Sequence, residues 1–250
     1  MSIHRVLVRF DFEPAYEMID QFGRILRILD SGLTNKAEKV EVATSESLSE
    51  RQVEAIAINT ERNLLQLISI RPDMAILEVV SHEGINLERL EANPEFSRTI
   101  NVLTEIFELN NIKQIKRAGI RVFYLEKLSS EELVQNAFSE ILDSKINSII
   151  SEHSGPIDDY GIQLDGGIEN GRKFHIRFGP SSKEDSKKYF SKRESFDNPQ
   201  IDCDFVIDMD VFENKFEIPD CRPRRWIKQS LEKPLHTMPK LRKLILSKIS

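Results

Sequence analysis

Ile3-His-Arg-Val-Leu-Val-Arg-Phe-Asp-Phe12 and Lys116-Arg-Ala-Gly-Ile-Arg-Val-Phe-Tyr-Leu125 carry one pattern at two places in the chain. In the first, Val6, Val8, Phe10 and Phe12 alternate with Arg5, Arg9 and Asp11. In the second, Ala118, Ile120, Val122 and Tyr124 stand opposite Arg117 and Arg121. Neighbouring side chains of a strand point to opposite faces, so this period of two predicts a half-buried strand in each place. Each strand leads into a helical pattern. Pro14–Leu29 has apolar residues at helical spacing (Met18, Ile19, Phe22, Ile25, Leu26, Leu29), and Ser129–Ile150 opens on Ser-Ser-Glu-Glu, a helix-starting signature.

Hairpins come next. Asn63–Ile70 turns at Arg71-Pro72-Asp73 into Met74–Val80, and Tyr160–Leu164 passes through the glycine-containing stretch 165–171 into Arg172–Phe178. Leu64-Leu-Gln66-Leu67 is echoed by Gly161-Ile-Gln163-Leu164. A helix closes each half: Pro94–Leu109, then Pro223 to the C-terminus, punctuated by Pro234 and Pro239. The order predicts an α+β fold in which a duplicated strand–helix–antiparallel strands–helix unit forms a long or saddle-shaped antiparallel sheet with helices on one face. The repeats are expected at 1–113 and 114–250. Residues 181–199 lack periodicity and are expected to be a flexible, protease-sensitive insertion.

Composition limits the function. The chain has 250 residues, 40% hydrophobic and 30% charged, the profile of a globular protein. No apolar run exceeds four residues, whereas a spanning helix needs about 20, so no membrane contact is expected. Arg5 and Arg9 interrupt the N-terminal apolar stretch, which excludes a secretory h-region there. Two cysteines, Cys203 and Cys221, suit a reducing interior, and the expected location is cytoplasmic. Charge is segregated. Residues 221–250 hold nine Lys/Arg against Glu232, a formal +8 beside a body at −14, which together make the −6 of the chain. Such a basic segment raises nucleic acid as a partner, but an acidic body can also be the segment's own docking surface.

Four candidate sites emerge. Arg5, Arg9, Arg117 and Arg121 gather on one face if the two equivalent strands pair, offering planar forks to carboxylate or phosphate. Arg222, Arg224, Arg225 and Trp226 place three guanidiniums beside the chain's one tryptophan, where a base can stack or a helix can be anchored. Asp202, Asp204, Asp208 and Asp210 form an acidic row on a predicted strand. That row reads either as a divalent-metal site or as a charge ladder balanced by Lys173, His175 and Arg177 of the adjacent strand; the ladder is the stronger reading. Glu213-Asn-Lys215 has the acid-x-Lys shape of a metal nuclease, but the three such triplets in the chain are about what chance supplies. The histidines have no metal-ligand spacing, and no nucleophile-elbow or nucleotide-binding glycine motif occurs. No cofactor is expected.

Leu65-Gln-Leu through Arg71-Pro-Asp73, Glu95-Phe96 at the head of a helix, and Arg117-Ala-Gly-Ile-Arg-Val-Phe-Tyr124 together resemble a sporadically distributed, functionally unassigned prokaryotic family. In that family a Gln…Pro-Asp hairpin precedes an Arg-x-Gly-Leu-Arg strand. Val122-Phe123 here replaces the usual aromatic and Asn. The resemblance implies fold and no chemistry, and its patchy occurrence points toward host defence. The expected function is a non-enzymatic adaptor acting on a protein partner. The alternative is a metal-dependent nuclease or nucleic-acid-binding protein using the acidic row and the basic patches.

Overall fold

The computed structural model describes residues 2–33, 39–43, 47, 50–59, 64–86, 93–128, 131–141, 161–168, 171–181 and 203–249. Its strands are β1 (Ser2–Phe12), β2 (Lys39–Ala43), β3 (Gln52–Asn59), β4 (Leu64–Arg71), β5 (Met74–Asn86), β6 (Gln114–Glu126), β7 (Ile162–Gly167), β8 (Lys173–Pro180) and β9 (Phe205–Glu217). The helices are α1 (Glu17–Asp20), α2 (Phe22–Gly32), α3 (Pro94–Leu109), α4 (Glu131–Ile141) and α5 (Arg224–Ile249). All nine strands join one open antiparallel sheet in the order β2-β3-β4-β5-β1-β6-β9-β8-β7. The fold is α+β. The two arginine-bearing strands, β1 and β6, pair at its centre.

On each side of the β1–β6 seam a strand is followed by helix, then by a meander whose last strand returns to pair with the first. The meander is β2 to β5 in one half and β7 to β9 in the other, so the second half is one strand shorter among the described residues. The sheet runs unbroken across residue 113. β2 and β3 are elements the sequence reading omits. The helix expected over Pro14–Leu29 divides at Gln21, whose amide turns back to the Met18 carbonyl at 3.0 Å and ends α1 as a single turn. The expected insertion at 181–199, the cap at Ser129-Ser130 and residues 142–150 of the second predicted helix lie outside the described residues, apart from Ser181.

The helices share one core with one face of the sheet. Val6, Val8, Phe10, Ile120, Val122, Ile207 and Val211 from the strands are buried with Ile25, Leu29, Phe96, Leu103, Phe107, Phe138, Trp226 and Leu231 from the helices. Gln66 on β4 faces these helices and donates to the Glu95 carbonyl at 2.8 Å and to Thr99 Oγ1 at 2.7 Å, fixing the first turn of α3 to the sheet. Asn93 caps that helix by accepting from the Phe96 amide at 2.8 Å. The Pro72-Asp73 turn accepts backbone bonds from Ala15 and Phe12 at 2.8 and 3.0 Å, tying the hairpin tip to the end of β1. On the opposite face a smaller cluster of Ile56, Leu65, Leu67, Val80, Leu125, Cys203 and Val206 contains strand residues and Cys203 but no described helix residue.

Candidate functional site: the charged centre of the second sheet face

Register decides which side chains meet on this second face. Across one row, Glu78 of β5 stands opposite Leu7 of β1, Leu7 opposite Arg121 of β6, Arg121 opposite Asp210 of β9, and Asp210 opposite His175 of β8. The flanking rows place Arg5 opposite Phe123 and Arg9 opposite Gly119; Asp11 faces Arg117. All four predicted arginines therefore share one face at the seam.

Each has a different environment. Arg5 pairs with buried Glu78 at 2.6 Å and lies 5.2 Å from the centre of the Phe123 ring. Arg9 pairs with Asp11 at 2.8 Å. Arg121 grips Asp208 with two parallel bonds, Nε to Oδ1 at 2.8 Å and Nη2 to Oδ2 at 2.5 Å, and covers Phe123 at 4.8 Å. Arg117 is exposed, its guanidinium 5.2 Å from the Phe212 ring centre, and it makes no carboxylate ion pair among the described residues. Between these groups is a cavity of about 140 Å³ above Gly119 and Leu7, walled by Arg9, Arg117, Arg121, Asp11 and Asp210. Burial pushes the Asp210 carboxyl above its ordinary value, against the pull of Arg121 and Arg117 and with a push from Asp208.

The acidic row differs from its sequence reading in its partners. Asp204 is not balanced by Lys173. Its carboxylate accepts from Lys127 Nζ at 3.0 Å and from the Leu128 amide at 2.8 Å, holding the chain as it leaves β6. Arg177 does stand opposite Asp208 in register, but the ion pair is made by Arg121 from the other neighbour. β9 lies between β6 and β8, so its acids have cations on both sides, and only the hairpin side is visible in sequence order. Asp202 lies outside the described residues. Among those described, no three His, Cys, Asp or Glu side chains converge as a metal site requires.

Burial also changes the expected cost of removing an acid. Asp208 is 2% exposed whereas Arg121 has a side chain 45% exposed, so loss of the carboxylate breaks two charge-assisted bonds while the guanidinium regains water. Asp208→Ala is expected to cost about 1.5–3 kcal/mol, read from the urea midpoint. Asp165→Ala, which removes an exposed partner of His175, should stay within about 0.5 kcal/mol. Equal midpoints for the two variants would refute the buried clamp.

The basic C-terminal segment is tied to the body at several points, while most of its Lys and Arg side chains stay exposed. Arg222 bonds Glu108 at 2.9 Å and Arg224 reaches Asn101 at 3.2 Å, both on α3. Trp226 is buried, donates to Glu213 Oε2 at 2.8 Å, stacks on Phe216 at 5.7 Å and meets Phe10 edge-on at 5.3 Å. It anchors α5 to the sheet and lacks a free ring face for a base. Arg225 remains exposed at the rim of a cavity of about 230 Å³ beside Arg172, Phe216 and Trp226. Further along α5, Arg242 clamps Glu126 and donates to Tyr124 Oη at 2.8 Å. Burial and the hydrogen bond to Glu126 push the Tyr124 hydroxyl above its ordinary value, so it stays protonated.

Sequence reasoning missed Gly119 and Phe123 as members of the central arrangement and placed Asp210 only within the acidic row. The signal for Gly119 is a glycine inside an otherwise regular strand pattern. No protein-family model, curated protein or solved structure matches this chain.

Proposed function

We propose that this chain is a non-catalytic binding protein that receives a protein partner on the charged centre of the sheet face opposite its described helices. The observation that carries the reading is the cavity over Gly119, where the two central strands bring Arg9, Arg117 and Arg121 to one opening. Arg222 and Arg242 are engaged by Glu108 and Glu126, and Trp226 is buried as an anchor, which favours this face over the basic segment as the contact surface. Both cysteines are buried free thiols, which suits a cytoplasmic setting, and host defence is the setting that the family resemblance adds.

Affinity capture from native lysate tests the proposal. A partner retained by the wild-type chain and by Lys240→Glu, an exposed change on α5, should be lost from Arg117→Glu. Equal recovery by Arg117→Glu, or turnover of a substrate by the purified protein, overturns it. So does tight DNA or RNA binding that falls steeply with salt and depends on Arg225.

A further inference from the structure

Gly119 lies inside β6, a strand of 13 residues at the centre of the sheet, where glycine weakens pairing because it has no side chain to pack and more freedom to lose. Nothing among the described residues requires it. Positive φ occurs at Gly84 and Gly171 among the described glycines and not at Gly119. A Cβ placed on Gly119 would meet Asp210 Oδ1 at 3.5 Å and Phe212 Cβ at 3.8 Å, ordinary contact distances. Gly166 is a contrast: its added Cβ would fall 2.4 Å from the Phe174 ring. The space left over Gly119 is the cavity of about 140 Å³. A glycine that costs the strand and serves no contact among the described residues marks a place where a group from outside approaches the backbone.

The lining selects that group. Arg9 is engaged by Asp11 and Arg121 by Asp208, whereas Arg117 faces the cavity without a carboxylate of its own among the described residues. Its guanidinium lies over Phe212, an aromatic face that steadies a planar cation and leaves N–H donors for a ligand. One available positive charge suits one negative charge. A doubly charged phosphate would meet the Asp11 and Asp210 carboxyls on the same wall, while a singly charged carboxylate matches Arg117 and can share a proton with Asp210. Resting on the docking reading above, we infer that the Gly119 cavity is the socket for an Asp or Glu side chain of the protein partner.

The experiment follows arginine Nε–Hε resonances of the full nitrogen-15-labelled chain, titrated with the capped peptide Gly-Ser-Glu-Ser-Gly and with its Gln counterpart. The Arg117 resonance should shift saturably with the Glu peptide, with the Gln peptide at least tenfold weaker. Gly119→Val, which fills the cavity without changing charge, should weaken the Glu peptide at least tenfold, and Arg117→Gln should abolish the saturable response of the remaining lining arginines. Gly119→Ala should raise the melting temperature by about 1–4 °C while weakening the peptide, which separates loss of the socket from loss of the fold. Equal response to both peptides, unchanged affinity in the two Gly119 variants, or a lower melting temperature for Gly119→Ala overturns the inference. Inorganic phosphate binding more tightly than the peptide would reassign the socket to phosphate, and glutarate binding as tightly would reassign it to a free acid; either overturns the partner assignment. If native-partner capture still depends on Arg117 while the Glu peptide does not bind, docking on this face stands and the carboxylate socket falls.

Discussion

A chain ending at Asp220 is expected to lose cooperative folding. The lost helix contributes Trp226, Ile227, Leu231, Met238 and Ile245, each at most 6% exposed, to the core shared with the sheet. Uncovering a large apolar side chain costs about 1.5–3 kcal/mol, so five of them approach the whole stability of a domain, about 5–15 kcal/mol. The charged anchors go as well. Glu108 loses Arg222, and the part-buried Glu126 and Tyr124 lose Arg242. Urea unfolding followed by circular dichroism should show a broad, non-sigmoidal loss of signal in place of the single transition of the full chain. A truncated body with the parental midpoint and slope would falsify the assignment of α5 to the core.

Phe10→Ala should be the most damaging single truncation among the residues of the central seam. Phe10 is fully buried on β1 and touches both long core helices, edge-on to Phe107 of α3 at 5.4 Å and to Trp226 of α5 at 5.3 Å. Removing the ring opens a cavity at the meeting point of three elements that close packing keeps from collapsing. The expected loss is about 3–5 kcal/mol, a fall in melting temperature on the order of 10 °C. Phe10→Leu retains most of the volume and should cost about 1 kcal/mol. If the two variants melt together, the volume that leucine retains contributes nothing and the cavity account of the loss fails.

The parts of this fold that could be read from the sequence are those where pattern and burial agree. β1 and β6 alternate because one face meets the helices and the other carries arginine, and the helix read over Pro94–Leu109 is α3, its start fixed by the Asn93 cap that the structure adds. β3 was not legible. Val53, Ala55 and Ala57 alternate, but alanine is a poor strand former and both faces of that strand are buried, Glu54 and Ile56 included. Pro234 and Pro239 suggest breaks, yet one helix runs through Ile249 without the two amide bonds that proline cannot make, with Leu231, Met238 and Ile245 packed on the core. The residues behind the family resemblance divide: Gln66 pins α3 and Pro72-Asp73 holds the end of β1, while Arg117, Gly119 and Arg121 line the central cavity.

The candidate site divides along the same line. The arginine quartet was legible because Arg5 and Arg9, like Arg117 and Arg121, stand opposite the apolar residues of two alike strands, so a pairing that buries both apolar faces together puts all four on the other face. The partners of the acidic row were not, because sequence order shows the hairpin neighbour β8 and hides β6, which arrives from far earlier in the chain. Ion-pair choice then follows geometry: Asp208 meets the Arg121 fork squarely and leaves Arg177 to solvent.

The strand order also sets a timetable for synthesis. β1 is made well before its two neighbours in the sheet, β5 and β6, so it has no partner strand until the chain has grown through residue 86 and no second one until residue 126. At roughly 5–20 residues per second, β1 spends several seconds outside the ribosome with Val6, Val8, Phe10 and Phe12 unpaired. Nascent chains stalled before β5 should therefore recruit chaperones and expose β1 to protease, while chains stalled beyond β6 should not.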